Sequence, residues 1–147
     1  MADKMIAGSD HAGLALRVEA VKAAKAAGLE VEDLGPFSGE SVDYPDYAKA
    51  VAEAVASGRA KIGLLVCGTG IGMSIAANKV KGIRAAHCTT EFEARMARAH
   101  NDANVLCLGE RVIGLGLGAS IVKVFLETAF EGGRHARRVE KMKDLER

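Results

Sequence analysis

Ile62-Gly63-Leu64-Leu65-Val66, followed at once by Cys67-Gly68-Thr69-Gly70-Ile71-Gly72, is the stretch that decides the fold of this chain. A continuous apolar run of this length, cut off by glycines, is the pattern of a strand covered on both faces. Such strands belong to parallel sheets, where each crossover lays a helix over one face. The alternating glycines then turn the chain into a helix that continues to about Lys79.

The same alternation extends in both directions. Upstream, Met5 to Gly8 reads as a strand and Leu14 to Ala27 as a helix, with Leu14, Val18 and Val21 on one face and Gly28 as C-cap. Glu30 to Leu34 is a second strand, residues 35–39 are a loop by their turn chemistry, and Tyr44 to Ala56 is a helix with Pro45 in its first turn. Downstream come a strand at Ile83 to His87, a helix at Thr90 to Ala99 with a Thr90/Glu93 capping box, and a strand at Val105 to Leu108. Ile113 to Phe130 and Arg134 to Leu145 are the last two helices. Five strands separated by helices predict an α/β domain over residues 1–147, built on an open, doubly wound parallel sheet with right-handed crossovers. Ligands bind such sheets beyond the carboxyl ends of the strands, which nominates residues 8–13, 35–44, 67–72, 87–90 and 109–114.

Composition narrows the partners. Twenty basic and 19 acidic side chains leave a net charge of +1, which argues against a nucleic-acid or anionic-membrane partner. No run approaches the roughly 18 apolar residues of a membrane span. The opening MADKMIAGSDHAG carries no signal-peptide core. Three cysteines without a CxxC pair make no disulfide framework, so a reducing, cytoplasmic setting is expected.

Two of the nominated loops carry chemistry. Gly8-Ser9-Asp10-His11-Ala12-Gly13 is not a phosphate-cradling Walker loop, because Leu14-Ala15 replaces Lys-Ser/Thr. Asp10 and His11 either face a ligand, or cap the next helix and sit in solvent. In Cys67–Gly72, three alternating glycines free backbone N–H groups to converge on one spot, as an anion or oxyanion nest does. Cys67 stands at the junction with a helix start, where a thiolate is favoured. Cys88 and Cys107 lack that context and read as core. His100-Asn101-Asp102-Ala103-Asn104 joins a helix to a strand and so falls at the amino edge, away from these loops. It is either a polar surface turn or a contribution to a neighbouring subunit's site. Arg111 follows the last strand, and Arg134 and Arg138 share a helix face, a spacing that suits a phosphate. Interleaved acids make a solvated mixed-charge helix the alternative. Gly114-Leu115-Gly116-Leu117-Gly118-Ala119 matches GxGxxA, but too little chain follows to complete a dinucleotide-binding half-domain.

The strings Gly8–Gly13, Asp43-Tyr44-Pro45, Cys67–Lys79, Gly82–Ala85, His100–Leu106 and Glu131–His135, in this order, resemble the type B ribose-5-phosphate isomerases, whose wider family includes galactose-6-phosphate isomerase subunits. The resemblance implies a three-layer α/β/α Rossmann-like sandwich around a five-stranded parallel sheet. It implies an aldose–ketose isomerase with no cofactor and no metal, acting in the pentose phosphate pathway on ribose 5-phosphate and ribulose 5-phosphate through a cis-enediolate. It also implies homodimers with shared active sites, sometimes paired into tetramers, with the 134–145 helix on the partner subunit. By the same resemblance Cys67 matches the catalytic base, the backbone of Gly68, Gly70, Ile71 and Gly72 the enediolate holder, and Asp10, Thr69 and His100 the ring-opening groups. Asn101 matches a substrate contact near the reacting end. His11, Arg134 and Arg138 match phosphate ligands, and Arg111 a site arginine. A hexose 6-phosphate or tetrose 4-phosphate substrate, or a non-catalytic sugar-phosphate sensor, are the alternatives.

Overall fold

The computed structural model describes residues 3–146; the expected domain limits at 1 and 147 lie outside them. Five strands, β1 (Lys4–Ser9), β2 (Glu30–Asp33), β3 (Ile62–Cys67), β4 (Ala85–His87) and β5 (Val105–Gly109), form one all-parallel sheet in the order β2-β1-β3-β5-β4. Six helices alternate with them: α1 (Leu14–Ala26), α2 (Tyr44–Ala56), α3 (Ile71–Ala77), α4 (Glu91–Asn101), α5 (Glu110–Glu127) and α6 (Arg134–Lys143).

The period of two along β3 builds both cores. Ile62, Leu64 and Val66 join Leu16, Ala20 and Val21 of α1, Ala94 and Ala97 of α4, and Ile121, Val122 and Phe125 of α5. Leu65 and Cys67 turn the other way, with Ile6, Val105 and Cys107, onto Val51, Ala52 and Val55 of α2 and Met73 and Ala77 of α3. All six residues of β3 are buried, as the doubly covered run requires. Small residues let the layers close: a Cβ on Gly118 would stand 2.4 Å from Leu16 Cδ1. That close approach of α5 to α1, rather than a nucleotide, accounts for part of the glycine-rich 114–119 run.

Several boundaries differ from the reading of the sequence. β4 begins at Ala85, not Ile83. The Arg84 N–H donates to the Asn104 side chain, and Ile83 N–H to Val80 O in a turn. The first turn of α5 starts at Glu110 and the helix breaks at Gly114, whose φ of 70° and ψ of −177° are non-helical. Arg111 is therefore helical, not part of a loop. α4 runs on through His100 and Asn101, and Asp102 caps it in the left-handed region at φ 48°. The Thr90/Glu93 capping box forms as expected.

Candidate functional site

The chain passes from β1 to β2 on one side and then to β3 on the other, so the sheet reverses direction between β1 and β3. A crevice opens at the carboxyl ends of strands at such a point. The Asp10 N–H bonds Val66 O across it at 3.1 Å. Asp10 Oδ1 accepts from the Ala12 and Gly13 N–H groups at 3.0 and 3.1 Å, so this carboxylate does cap the turn at His11–Gly13. Gly13 is required there, because a Cβ would come within 2.6 Å of the Val66 carbonyl. His11 is exposed, and its Nδ1 accepts from the Val42 N–H at 3.2 Å. That bond fixes the tautomer and leaves Nε2–H as a donor toward solvent.

The Cys67 loop adjoins this turn. Cys67 is only 5% exposed, and the Gly70 N–H donates to its Sγ at 3.1 Å. Gly70 holds φ at +83°, a region open to glycine and strained for other residues. Thr69 is exposed and its Oγ1 accepts from the Ile71 N–H at 3.2 Å. Arg111 is drawn over the loop by its own N–H, which donates to Gly68 O at 3.0 Å. Its guanidinium lies 3.5 Å from where a Gly68 Cβ would be. The other two thiols are unsuited to proton transfer: burial and nearby Glu93 push Cys88 up to about 12, and burial raises Cys107 further.

Three residues outside the candidate set shape this edge. Tyr44 opens α2, and its ring covers Gly72, where a Cβ would meet Tyr44 Cε1 at 2.5 Å. His87 ends β4 with Nε2 buried and unpartnered among the described residues, pressed against Gly70. Arg17, 1% exposed, donates to Ser9 Oγ at 2.6 Å and Pro36 O at 2.7 Å, tying the first two loops together beside Asp33. The Tyr-Pro helix start carried a visible signal for Tyr44. His87 and Arg17 act through tertiary contacts that no local pattern encodes.

His100, Asn101, Arg134 and Arg138 gather at the opposite edge. α4 ends there, since Asn104 O accepts from the Gly63 N–H at the start of β3. The Arg84 Nε–H donates to Asn101 O at 3.1 Å. α6 lies against α4, burying His135 and Val139 and leaving Arg134 and Arg138 exposed, with no ion pair among the described residues. A cleft of about 710 Å³ at this edge, lined by Lys79, Arg84, Asn101 and Met142 among others, is remote from Cys67. Five residue steps along β3 separate the two edges, roughly 16 Å at about 3.3 Å per step. Within one chain the candidate residues thus form two clusters. Asp10, His11, Cys67–Gly72 and Arg111 make one, and His100, Asn101, Arg134 and Arg138 the other.

Fold and site together describe a small parallel α/β protein with a thiol-bearing backbone nest at its topological switch point. The model of the ribose/galactose isomerase family matches residues 5–142. Ribose-5-phosphate isomerase B of Escherichia coli is 49% identical over 143 residues, 97% of this chain and 96% of that protein. The structure of ribose-5-phosphate isomerase B from Clostridium thermocellum superposes with a TM-score of 0.94 at 55% identity, covering 97% of each chain. That of the Mycoplasma genitalium enzyme with bound ribulose-5-phosphate gives 0.92 at 43% identity, covering 96% of this chain and 94% of that one. This chain belongs to the ribose/galactose family of isomerases.

Proposed function

We propose that the chain interconverts ribose 5-phosphate and ribulose 5-phosphate, a step of the pentose phosphate pathway, in a homodimer whose two sites each draw on both subunits. The observation that carries the chemistry is the Gly70 N–H aimed at Cys67 Sγ at 3.1 Å. That bond fixes the sulfur beside the glycine loop, and a cysteine sulfur so placed can take up a proton and return it. Cys67 then carries the proton between C1 and C2 of the open-chain sugar. The Gly70 and Ile71 N–H groups are taken by Cys67 Sγ and Thr69 Oγ1, so in this reading the other N–H groups of the loop bind the enediolate oxygen.

The sugar must open first. In that step the C1–O bond of the ring breaks, the ring oxygen takes a proton from His100, and the C1 hydroxyl gives one up toward Asp10, so that the aldehyde forms. Asp10 has one oxygen engaged by the turn and the other open for this role. Thr69 assists beside it. Asn101 binds near the reacting end, and His11 offers its Nε2–H to the phosphate. Arg134 and Arg138, one helical turn apart, and Arg111 complete the charge balance.

Support for the shared site is the separation of the clusters, since no single chain joins Cys67 to His100. Thr69, Ile71, Tyr44 and Arg111 are all exposed in the isolated chain, whereas an enediolate needs shelter from water. A partner supplying α6 and the end of α4 would close the site, and pairing of dimers into tetramers extends the same reading. No described helix is long and apolar enough to cross a membrane, and all three thiols are buried and free. Both fit a cytoplasmic setting.

The test is steady-state kinetics with ribose 5-phosphate, a hexose 6-phosphate and a tetrose 4-phosphate side by side. Ribose 5-phosphate is expected to show the highest kcat/KM. Cys67→Ala is expected to drop kcat by orders of magnitude with KM nearly unchanged, because the base acts in the transition state. Retained turnover in that variant would sink the assignment.

A further inference from the structure

The groups around His100 form a cluster to which the reaction above gives no work. The rings of His100 and His135 stack, with centroids 4.1 Å apart and planes within 9°. Glu131 Oε1 lies 3.7 Å from His100 Nε2 and 3.6 Å from His135 Nε2. Backbone bonds hold the arrangement. The Glu131 N–H donates to Ala99 O and the His135 N–H to Gly132 O, both at 3.0 Å, which ties the 131–133 turn to the end of α4 and the start of α6.

Two imidazoles and a carboxylate whose ligand atoms lie within 4.8 Å are a donor set that zinc uses. The stacking points elsewhere. A ring nitrogen offers its lone pair in the plane of the ring. Two near-parallel planes at this spacing do not both contain one ion at the roughly 2.0–2.1 Å of a zinc–nitrogen bond. At 3.6 to 3.7 Å the carboxylate is not hydrogen-bonded to either ring, so its influence is Coulombic.

A single carboxylate facing two stacked imidazoles favours one added proton. The first proton then opposes a second across the stack. The rings are not equivalent. His135 is 8% exposed and sits on α6 between Arg134 and Arg138, while the His100 side chain is 37% exposed. Burial holds His135 below the usual histidine range, and His100, Arg134 and Arg138 add to this against the opposing pull of Glu131. Those four groups are the charged and titratable ones that face His135 from α4, the connecting turn and α6. Pairs of titratable groups whose surroundings drive them apart mark the division of acid–base labour.

We propose that Glu131 and His135 are positioning residues for His100: buried His135 fixes the His100 ring by stacking, and the Glu131 carboxylate, facing both Nε2 atoms, holds the pair by its charge so that His100 can deliver a proton. The inference rests on the function proposed above, in which that proton passes to the ring oxygen as the sugar opens.

The test labels histidine Cε1 with 13C in the whole protein. The four histidines, His11, His87, His100 and His135, are assigned by substituting each to Gln in turn. The His135 resonance is expected to keep its neutral position to a lower pH than that of an unburied histidine. In Glu131→Gln the alkaline limb of kcat/KM for ribose 5-phosphate, where the proton donor is lost, is expected to shift down by about half a pH unit. His135→Phe keeps the stack and is expected to retain kcat within about threefold, whereas His135→Ala loses about tenfold or more at unchanged KM. A kcat loss in His135→Phe as deep as that in His135→Ala, or a Glu131→Gln profile that superposes on the parent's, would overturn the inference. Absence of turnover on every sugar phosphate with the titration pattern intact would sink the proposed function instead.

Discussion

Cys67 closes β3 at the carboxyl edge of the sheet, and His100 stands in the last turn of α4 at the amino edge. A second copy related by a two-fold axis can set one chain's His100 against the other's Cys67, and by symmetry it does so twice. In the proposed dimer one chain would offer the thiol, the glycine loop, Asp10 and His11, and its partner the imidazole pair, Asn101 and the arginines of α6.

Gly70→Ala tests the nest. The residue holds φ +83°, and a Cβ would stand 2.7 Å from His87 Cδ2 and 3.0 Å from the Leu108 carbonyl carbon. The left-handed conformation costs about 1–2 kcal/mol for a non-glycine residue. Overpacking against the Leu108 backbone adds about 1–3 kcal/mol. Chemical denaturation should show the combined loss, and kcat should fall further than stability alone explains, since the donor to Cys67 moves with Gly70. Unchanged stability and unchanged kcat would exclude the strained turn as a working part.

Arg134→Ala tests the phosphate. A charge-assisted bond is worth about 1.5–3 kcal/mol, or roughly ten- to a hundredfold in affinity. KM for ribose 5-phosphate should rise by that factor with a smaller change in kcat. Arg134→Lys should recover part of the loss, because lysine keeps the charge and loses the planar fork. An unchanged KM would remove Arg134 from the phosphate site.

The stability of the fold should depend on pH through His135. Burial lowers its affinity for a proton below that of an unfolded histidine, whose ordinary value is 6.5. The unfolded chain therefore binds this proton first as pH falls. Stability is at its full value above about 6.5 and declines as pH drops through that point toward the folded-state value. Thermal melts between pH 8 and pH 5 should show that decline in the parent protein and a flatter profile in His135→Phe. Identical profiles would show that His135 carries no linked proton.

Much of this was legible in the residues themselves. Ile62 to Val66 announces a doubly covered strand because both faces are apolar, and Thr90 with Glu93 marks a helix start because the two satisfy each other's backbone. The misplaced boundaries have separate causes, one distant and one local. Arg84 leaves the ladder for Asn104, which lies 20 residues away in sequence. His100 and Asn101 extend α4 because Asp102 takes the left-handed cap that a glycine usually takes. The strand order β2-β1-β3-β5-β4 follows from packing alone, as does the placement of Tyr44 on Gly72. Glu131 and His135 stood in a quoted motif, yet their contact with His100 exists only once α6 folds back on α4. The placement of His100 at the amino edge was foreseeable, because helix-to-strand connections in a parallel sheet always fall there.

The division of the site between two chains is tested most directly by complementation. Cys67→Ala and His100→Ala are each expected to be nearly inactive as homodimers. Co-expressed in equal amounts, half of the dimers are mixed, and each mixed dimer carries one site with both residues intact and one with neither. The account predicts recovery of about one quarter of the parent activity on ribose 5-phosphate. Activity no greater than the mean of the two parent variants would contradict a shared site and return His100 to a purely local role.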